Sequence, residues 1–420
     1  MKKLPFLLIA ACLLIIIHGC NVDEENEPIG IIGQSDDITD YISEDYALQI
    51  ANQFAASYDA FAEGSRSSNR RASSRSNIVS SDSYSRAAAS PFYIVNYDDG
   101  MGFMILSRKN IECPILAFIP EGTYSAAEYA NHDGLNFFLA CAEDYVNESE
   151  FASRVVTVPT APTYYRIDRT LSMLPIVPVV WAQDTIFGAF CPNKLSGCMA
   201  TALAQIFTVI RPFDNLKLTY MGVPSDLCPD IDLEWDSIIR FNNARYKFTP
   251  FKGVTLTIRD SISDAADHYI ISALLREIGH RIKAEYKESV TIAYLDKTLH
   301  ALKYEFGLVN TTDTFPFLDN LSRLPSNFRE GRPVLMLGNA IERKGALNHP
   351  NQETSISLLG HAWVSDAYLT FITGTNSRHI AYHCNWGLYP KANGYYSKQV
   401  FESKSDSALY GRVKFIEFPK

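Results

Sequence analysis

Cysteine is scarce in this 420-residue chain: there are 8, and no two have CxxC spacing. Cys12 and Cys20 fall in the opening apolar stretch, while Cys113, Cys141, Cys191, Cys198, Cys228 and Cys384 are scattered irregularly. That distribution excludes a disulfide scaffold and a structural zinc site, and no metal or organic cofactor is expected. Positive charge is also in deficit, with 38 Lys and Arg against 47 Asp and Glu and a formal net charge of -9. A nucleic acid partner requires the opposite balance, so none is expected. The arginines between 66 and 75 have no aromatic residues among them to stack on bases, and the stretch SRSSNRRASSRSNIVSSDSYSRAAAS reads as an exposed, protease-sensitive loop. After residue 17 there is no apolar run long enough to cross a bilayer.

Against these absences stands GCMATALAQIF. Met199, Ala202, Leu203, Ile206 and Phe207 recur with helical spacing, which places Cys198 at a helix N-terminus after a glycine turn. There the unpaired amides and the helix dipole favour an anion and so a reactive thiolate. A thiolate nucleophile needs a base, and the base needs an orienting group. Far downstream, LLGHAWVSDAY supplies His361 at the start of an alternating strand, and HCNWG supplies Asn385 beside Trp386. The order Cys, His, Asn with a neighbouring Trp is the papain arrangement, in which the Asn holds the imidazole and the indole shields that bond from water. Gln183, in VVWAQDTIF, precedes the cysteine and is placed to donate to an oxyanion beside the Cys198 amide.

These blocks resemble the streptopain family of cysteine peptidases. The matching pieces are Trp181 to Gln183, Gly197 to Phe207, GRPVLMLG at Gly331 to Gly338, GHAWVSDAY at Gly360 to Tyr368, and NWG with NGYY at Asn385 to Tyr396. Upstream, PFYIVNYDDGMGFMILSRKNIECPILAFIPEGTY is similar to the family's prodomain. The resemblance implies an α+β chain whose papain-like catalytic domain has a helical part and an antiparallel β-barrel-like part, preceded by a small α+β prodomain. It further implies a zymogen of a cysteine endopeptidase that cleaves proteins through a thioester, inhibited by its own prodomain and monomeric. In that reading Cys198 is the nucleophile, His361 the general base and acid, Gln183 the oxyanion donor, and Asn385 with Trp386 the support for His361; Gly360 and Ser289 line the substrate cleft. The chain departs from the family in NWGLYPKANGYY, in DTIFGAF after Gln183 and in AEYKESVTIA, which bears on substrate preference. The alternative is a catalytically silent, peptidase-like surface lipoprotein that binds protein or glycan. The intact set of Cys, His, Asn and Gln favours the enzyme.

Lys2 and Lys3 precede an apolar run from Leu4 to Ile17 that ends in His18-Gly19-Cys20. This resembles a bacterial lipoprotein signal with Cys20 as the lipidated residue, anchoring the protein to the outer membrane or cell surface; a plain secretory signal is the alternative. The expected layout is signal 1-20, tether 21-39, prodomain 40-150, linker and activation segment 151-175 and peptidase domain 176-420. Helical periodicity runs from Asp40 to Phe61, from Leu135 to Val146 and from Asp264 to His280, with strands from Tyr93 to Leu116. Pro159, Pro162 and Pro175 make the linker extended.

Other titratable residues read as structural. His379 and His383 lie four apart on a strand, His268 and His280 sit on a helix surface, and Asp366 falls an odd number of residues from His361, hence on the opposite face of its strand.

Overall fold

A computed structural model of the chain describes residues 41-62, 70-80, 90-149, 165-184, 187-224, 226-246, 265-308, 314-339, 341-343, 356-358, 360-373, 376-401 and 413-419. Cys20, the signal and the tether lie outside this set, as do residues 151-164 of the linker and much of the Ser/Arg-rich stretch. The described residues fall within one compact unit, Ile38–Lys420.

The N-terminal part runs α1 (Glu44–Ala62), β1 (Ile78–Ser80), β2 (Phe92–Asn96), β3 (Phe103–Ser107), β4 (Ile115–Ile119), α2 (Ala126–Tyr129) and α3 (Asp133–Glu148). Ser43 Oγ accepts from the Tyr46 amide at the head of α1, where Glu44 and Asp45 also suit the helix dipole. After β5 (Arg166–Ile167) come α4 (Cys198–Ile210), β6 (Asn215–Lys217), β7 (Asp230–Asp232), α5 (Trp235–Tyr246), α6 (Ala265–Arg281), β8 (Glu285–Tyr286), β9 (Thr291–Ile292) and α7 (Leu295–Tyr304). The last third runs β10 (Phe315–Pro316), α8 (Arg323–Arg329), β11 (Val334–Gly338), β12 (Ile341–Arg343), β13 (Ile356–Leu358), β14 (His361–Ile372), β15 (Arg378–Asn385), β16 (Gly394–Ser397), α9 (Lys398–Phe401) and β17 (Lys414–Ile416).

One antiparallel sheet of eleven strands joins the two regions, in the order β1-β2-β3-β4-β16-β15-β14-β11-β17-β10, with β5 pairing β14. The join is β4 against β16, with Tyr395 opposite Phe118 and Tyr396 opposite Ala117. Strand alternation then sends side chains to two covered faces. On one face α3, α8 and α9 pack with Phe103, Ile105, Met336, Trp363, Tyr382, Trp386 and Tyr396. On the other, α1 packs with Val95, Met104, Leu369, Phe371 and Tyr395, while α4 and α6 pack with Leu335, Ala362 and Val364. The antiparallel half is therefore a wide sheet that takes in the N-terminal strands, because the β16 edge is paired rather than left open.

Two local features adjust the sequence reading. β14 carries a register shift between Ser365 and Tyr368, so Ala362 and Val364 share a face with Ala367 and Leu369 despite the parity change. Residues 165-175, expected to be extended linker, are packed: Ile167 is buried, β5 pairs with Phe371 and Ile372, and Met173 bridges to Tyr368. β14 pairs with β11 only as far as Ser365, so the rest of this interior strand has an open side that offers these residues backbone partners.

Candidate active site

Gly197 has φ 86, a conformation open to glycine, and a Cβ there would meet Thr291 Cγ2 at 2.9 Å. This turn makes Cys198 the first residue of α4, beside the start of β14, where the backbone amides of Ala362, Met199 and Cys198 itself act on the sulfur. The helix N-terminus predicts a depressed thiol pKa, but the structure reverses the sign. Cys198 is only partly enclosed, yet loss of solvent around the thiol pushes its pKa up, and the nearby Asp133 carboxylate adds to the rise; the amides oppose it without prevailing.

His361 is the first residue of β14 and is buried. Its Nε2 lies 3.0 Å from the Trp386 carbonyl oxygen, which can only accept, so Nε2 carries the proton and Nδ1 is bare. Burial pulls its pKa down to about 4, leaving the ring neutral. Trp386 is fully enclosed and packs against the rings of His361, Trp363 and Tyr396.

Asn385 does not hold His361 in this structure. Its Nδ2 donates to Val179 O at 2.9 Å and to Gln205 Oε1 at 2.8 Å, and its Oδ1 accepts from the Gly387 amide at 3.2 Å. The imidazole has taken the carbonyl of the next residue instead. Gln183 ties the cysteine loop to the Asn385 turn: its N–H donates to Gly387 O at 3.1 Å and its own carbonyl accepts from Ser196 N at 2.7 Å.

The head of α3 lies beside this arrangement. His132 caps that helix, with Nδ1 accepting from the Leu135 amide at 3.0 Å and Nε2 donating to Lys391 O at 2.8 Å. Desolvation, with a minor contribution from His361, lowers its pKa to about 4. Asp133 receives a hydrogen bond from the Gln183 side chain. Gly134 lies flat on Trp386, and Phe137 packs on Trp363 and over Gly338, the register partner of His361. The N-terminus of α3 thus reaches Gln183, Trp386 and the surroundings of Cys198 and His361.

The remaining assignments divide. Gly360 is exposed immediately before His361, and Ser289 is exposed between β8 and β9, a hairpin whose Thr291 abuts Gly197. Asp366 is fully buried: Oδ2 accepts from the amides of Ile176 and Val177 at 2.9 and 2.7 Å, and Oδ1 from His383 Nδ1 at 2.6 Å. It anchors structure and does not orient His361. Among the described residues no group of His, Cys, Asp and Glu has the arrangement of a metal site. The sequence reading missed His132, Asp133, Gly134 and Gln205. NHDGLNFF signals a helix start, but nothing in it says what that start touches.

The Peptidase C10 family matches residues 181-396, and the Spi protease inhibitor family matches residues 39-146. No curated protein matches the chain. The structure of a fragment of Prevotella intermedia prointerpain A, carrying a cysteine-to-alanine mutation, covers 80% of this chain and 97% of that one, with TM-score 0.51 and 14% identity. That likeness is one of fold, and it spans both regions. With an inhibitor-type region packed on the cysteine and histidine of a matched peptidase region, the chain belongs to the Peptidase C10, or streptopain, family of cysteine peptidases.

Proposed function

We propose that Cys198, His361, Asn385 and Gln183 carry the peptidase chemistry and that the N-terminus of α3 keeps them latent. After release, His361 Nδ1 takes the Cys198 proton and the thiolate attacks the scissile carbonyl. The oxyanion is met by the Cys198 amide and the Gln183 side chain, and His361 returns the proton to the leaving amine. Water then attacks the thioester, His361 taking its proton and returning it to sulfur, which frees the acid product. Asn385 and Trp386 orient and shelter the imidazole, and Gly360 and Ser289 border the cleft.

The observation that carries this reading is that one helix end meets Gln183, the surroundings of Cys198 and the rings beside His361 together. Asp133 takes the Gln183 amide and weighs against a Cys198 thiolate, while Gly134 and Phe137 cover Trp386 and Trp363. The layout follows: inhibitor 40-150, cleavage within 151-175, peptidase from 176, acting on proteins as a monomer. The segment ending in Cys20 supports export as a lipoprotein held at the outer membrane or surface, with release as a secreted enzyme the alternative. To test the reading, purified full-length protein is incubated and followed for chain length, hydrolysis and labelling by a papain-type epoxide. Wild type should convert to a fragment of mature size as hydrolysis rises, and Cys198→Ala should stay uncut, inactive and unlabelled. Hydrolysis by Cys198→Ala, or full activity before conversion, would overturn it.

A further inference from the structure

Gln205 lies two helical turns after Cys198 on α4, on the same side of the helix, and is fully buried. Its Oε1 accepts from Asn385 Nδ2 at 2.8 Å. Its Nε2 is buried with no partner among the described residues. A buried donor left unmet is destabilising, so an amide here is a poor choice for packing alone. The orientation of the pair is set by its surroundings. Val179 O can only accept and the Gly387 amide can only donate, so Asn385 must present Nδ2 to the first and Oδ1 to the second. Gln205 then takes the second Nδ2 hydrogen.

We infer that Gln205 is a positioning residue for the reaction, holding the Asn385 amide so that Oδ1 is the atom offered to the imidazole N–H once His361 leaves the Trp386 carbonyl. Both Asn385 hydrogens are held away, one on Val179 O and one on Gln205, and Oδ1 keeps a lone pair beyond the one used by Gly387. Turned over, the amide would oppose its own N–H to that of the imidazole. Gln205 acts through Asn385 and touches no reacting atom. The inference rests on the site reading above.

The test uses processed enzyme in four forms: wild type, Gln205→Met, Asn385→Ala and the double variant. Met keeps length and apolar volume but removes the acceptor. Gln205→Met should lower kcat between about 10- and 100-fold with little change in KM, because the imidazole loses its alignment. The alkaline limb of the pH profile of kcat/KM should move to lower pH in both single variants, since the imidazolium loses an acceptor. In the Asn385→Ala background Gln205→Met should cost less than about twofold more, because its only route is through Asn385. A loss repeated in full in that background, or an unmoved alkaline limb, overturns the inference. If Gln205→Met does not fold, Gln205→Glu decides: its neutral carboxyl keeps an acceptor, and kcat/KM should stay within about threefold of wild type, whereas a folded Gln205→Glu as impaired as Asn385→Ala overturns the inference. A fully active Asn385→Ala overturns the site reading and this inference with it. An impaired Asn385→Ala beside an unimpaired Gln205→Met overturns this inference alone.

Discussion

Adding one methyl group at Gly134 should weaken latency without touching the chemistry. A Cβ there would sit 2.4 Å from Trp386 Cε3, 2.5 Å from Cδ2 and 2.8 Å from Cγ. The indole has nowhere to go, since Trp386 is fully buried with the rings of Trp363, Tyr396 and His361 around it. Forcing a group into so filled a space costs about 1 to 3 kcal/mol. Alanine recovers at most about 1 kcal/mol over glycine as a helix residue. Contacts this short on a fully enclosed ring put the packing cost in the upper half of its range, so the net loss, about 1 to 2 kcal/mol, falls on the latent state alone, because Gly134 belongs to the region matched by the inhibitor family. At about 1.4 kcal/mol per factor of ten, full-length Gly134→Ala should open its cleft roughly tenfold more often than wild type. The assay follows conversion and hydrolysis of the two full-length proteins side by side. Processed Gly134→Ala and wild type should then hydrolyse a peptide at equal rates. Conversion no faster than wild type, with an unchanged thermal midpoint, would refute the claim that this helix end seals the site.

Acid should loosen the same contact. His132 has a folded pKa of about 4 against an ordinary 6.5, so the native state binds fewer protons than the unfolded chain between those values; its contribution is complete above pH 6.5, is lost as pH falls toward 4, and is on the order of 3 kcal/mol. Thermal midpoints of the full-length Cys198→Ala protein should fall across that window, and adding His132→Asn, which caps without titrating there, should flatten the fall; an identical slope would remove His132 from the account. Asp366→Ala leaves the amides of Ile176 and Val177 and the His383 N–H unmet in the interior and should cost about 3 kcal/mol in denaturant unfolding, which an unchanged midpoint would contradict. For the proposed anchor, Cys20→Ala should move the protein from the membrane to the soluble fraction, and equal labelling of wild type and variant by a palmitate tracer would count against it.

Much of this protein was determined along the chain itself. Apolar spacing in GCMATALAQIF and SEDYALQIANQFAASYDAF sets α4 and α1, because a helix burying one stripe must repeat its apolar residues every three to four positions. Short continuous apolar runs in FYIVN and FMILS, and the apolar stretch HAWVS, set strands that are buried on both faces. The order of Cys198, His361 and Asn385 pointed to the peptidase family that the comparisons show. Asp366 sits within the register shift between Ser365 and Tyr368, so its side of the sheet was decided by the bulge and not by parity along the strand. What the chain could not disclose is the state of the site. Which carbonyl the His361 proton meets, whether the thiol is eased or burdened by its surroundings, and which way the Asn385 amide turns depend on groups distant in sequence: Trp386 for the first, Asp133 for the second, and Val179 and Gln205 for the third. A helix dipole is a local property and can be read from one segment. The desolvation that overrides it at Cys198, and the Asp133 carboxylate that adds to it, arise only when segments far apart in the chain come to lie around the cysteine.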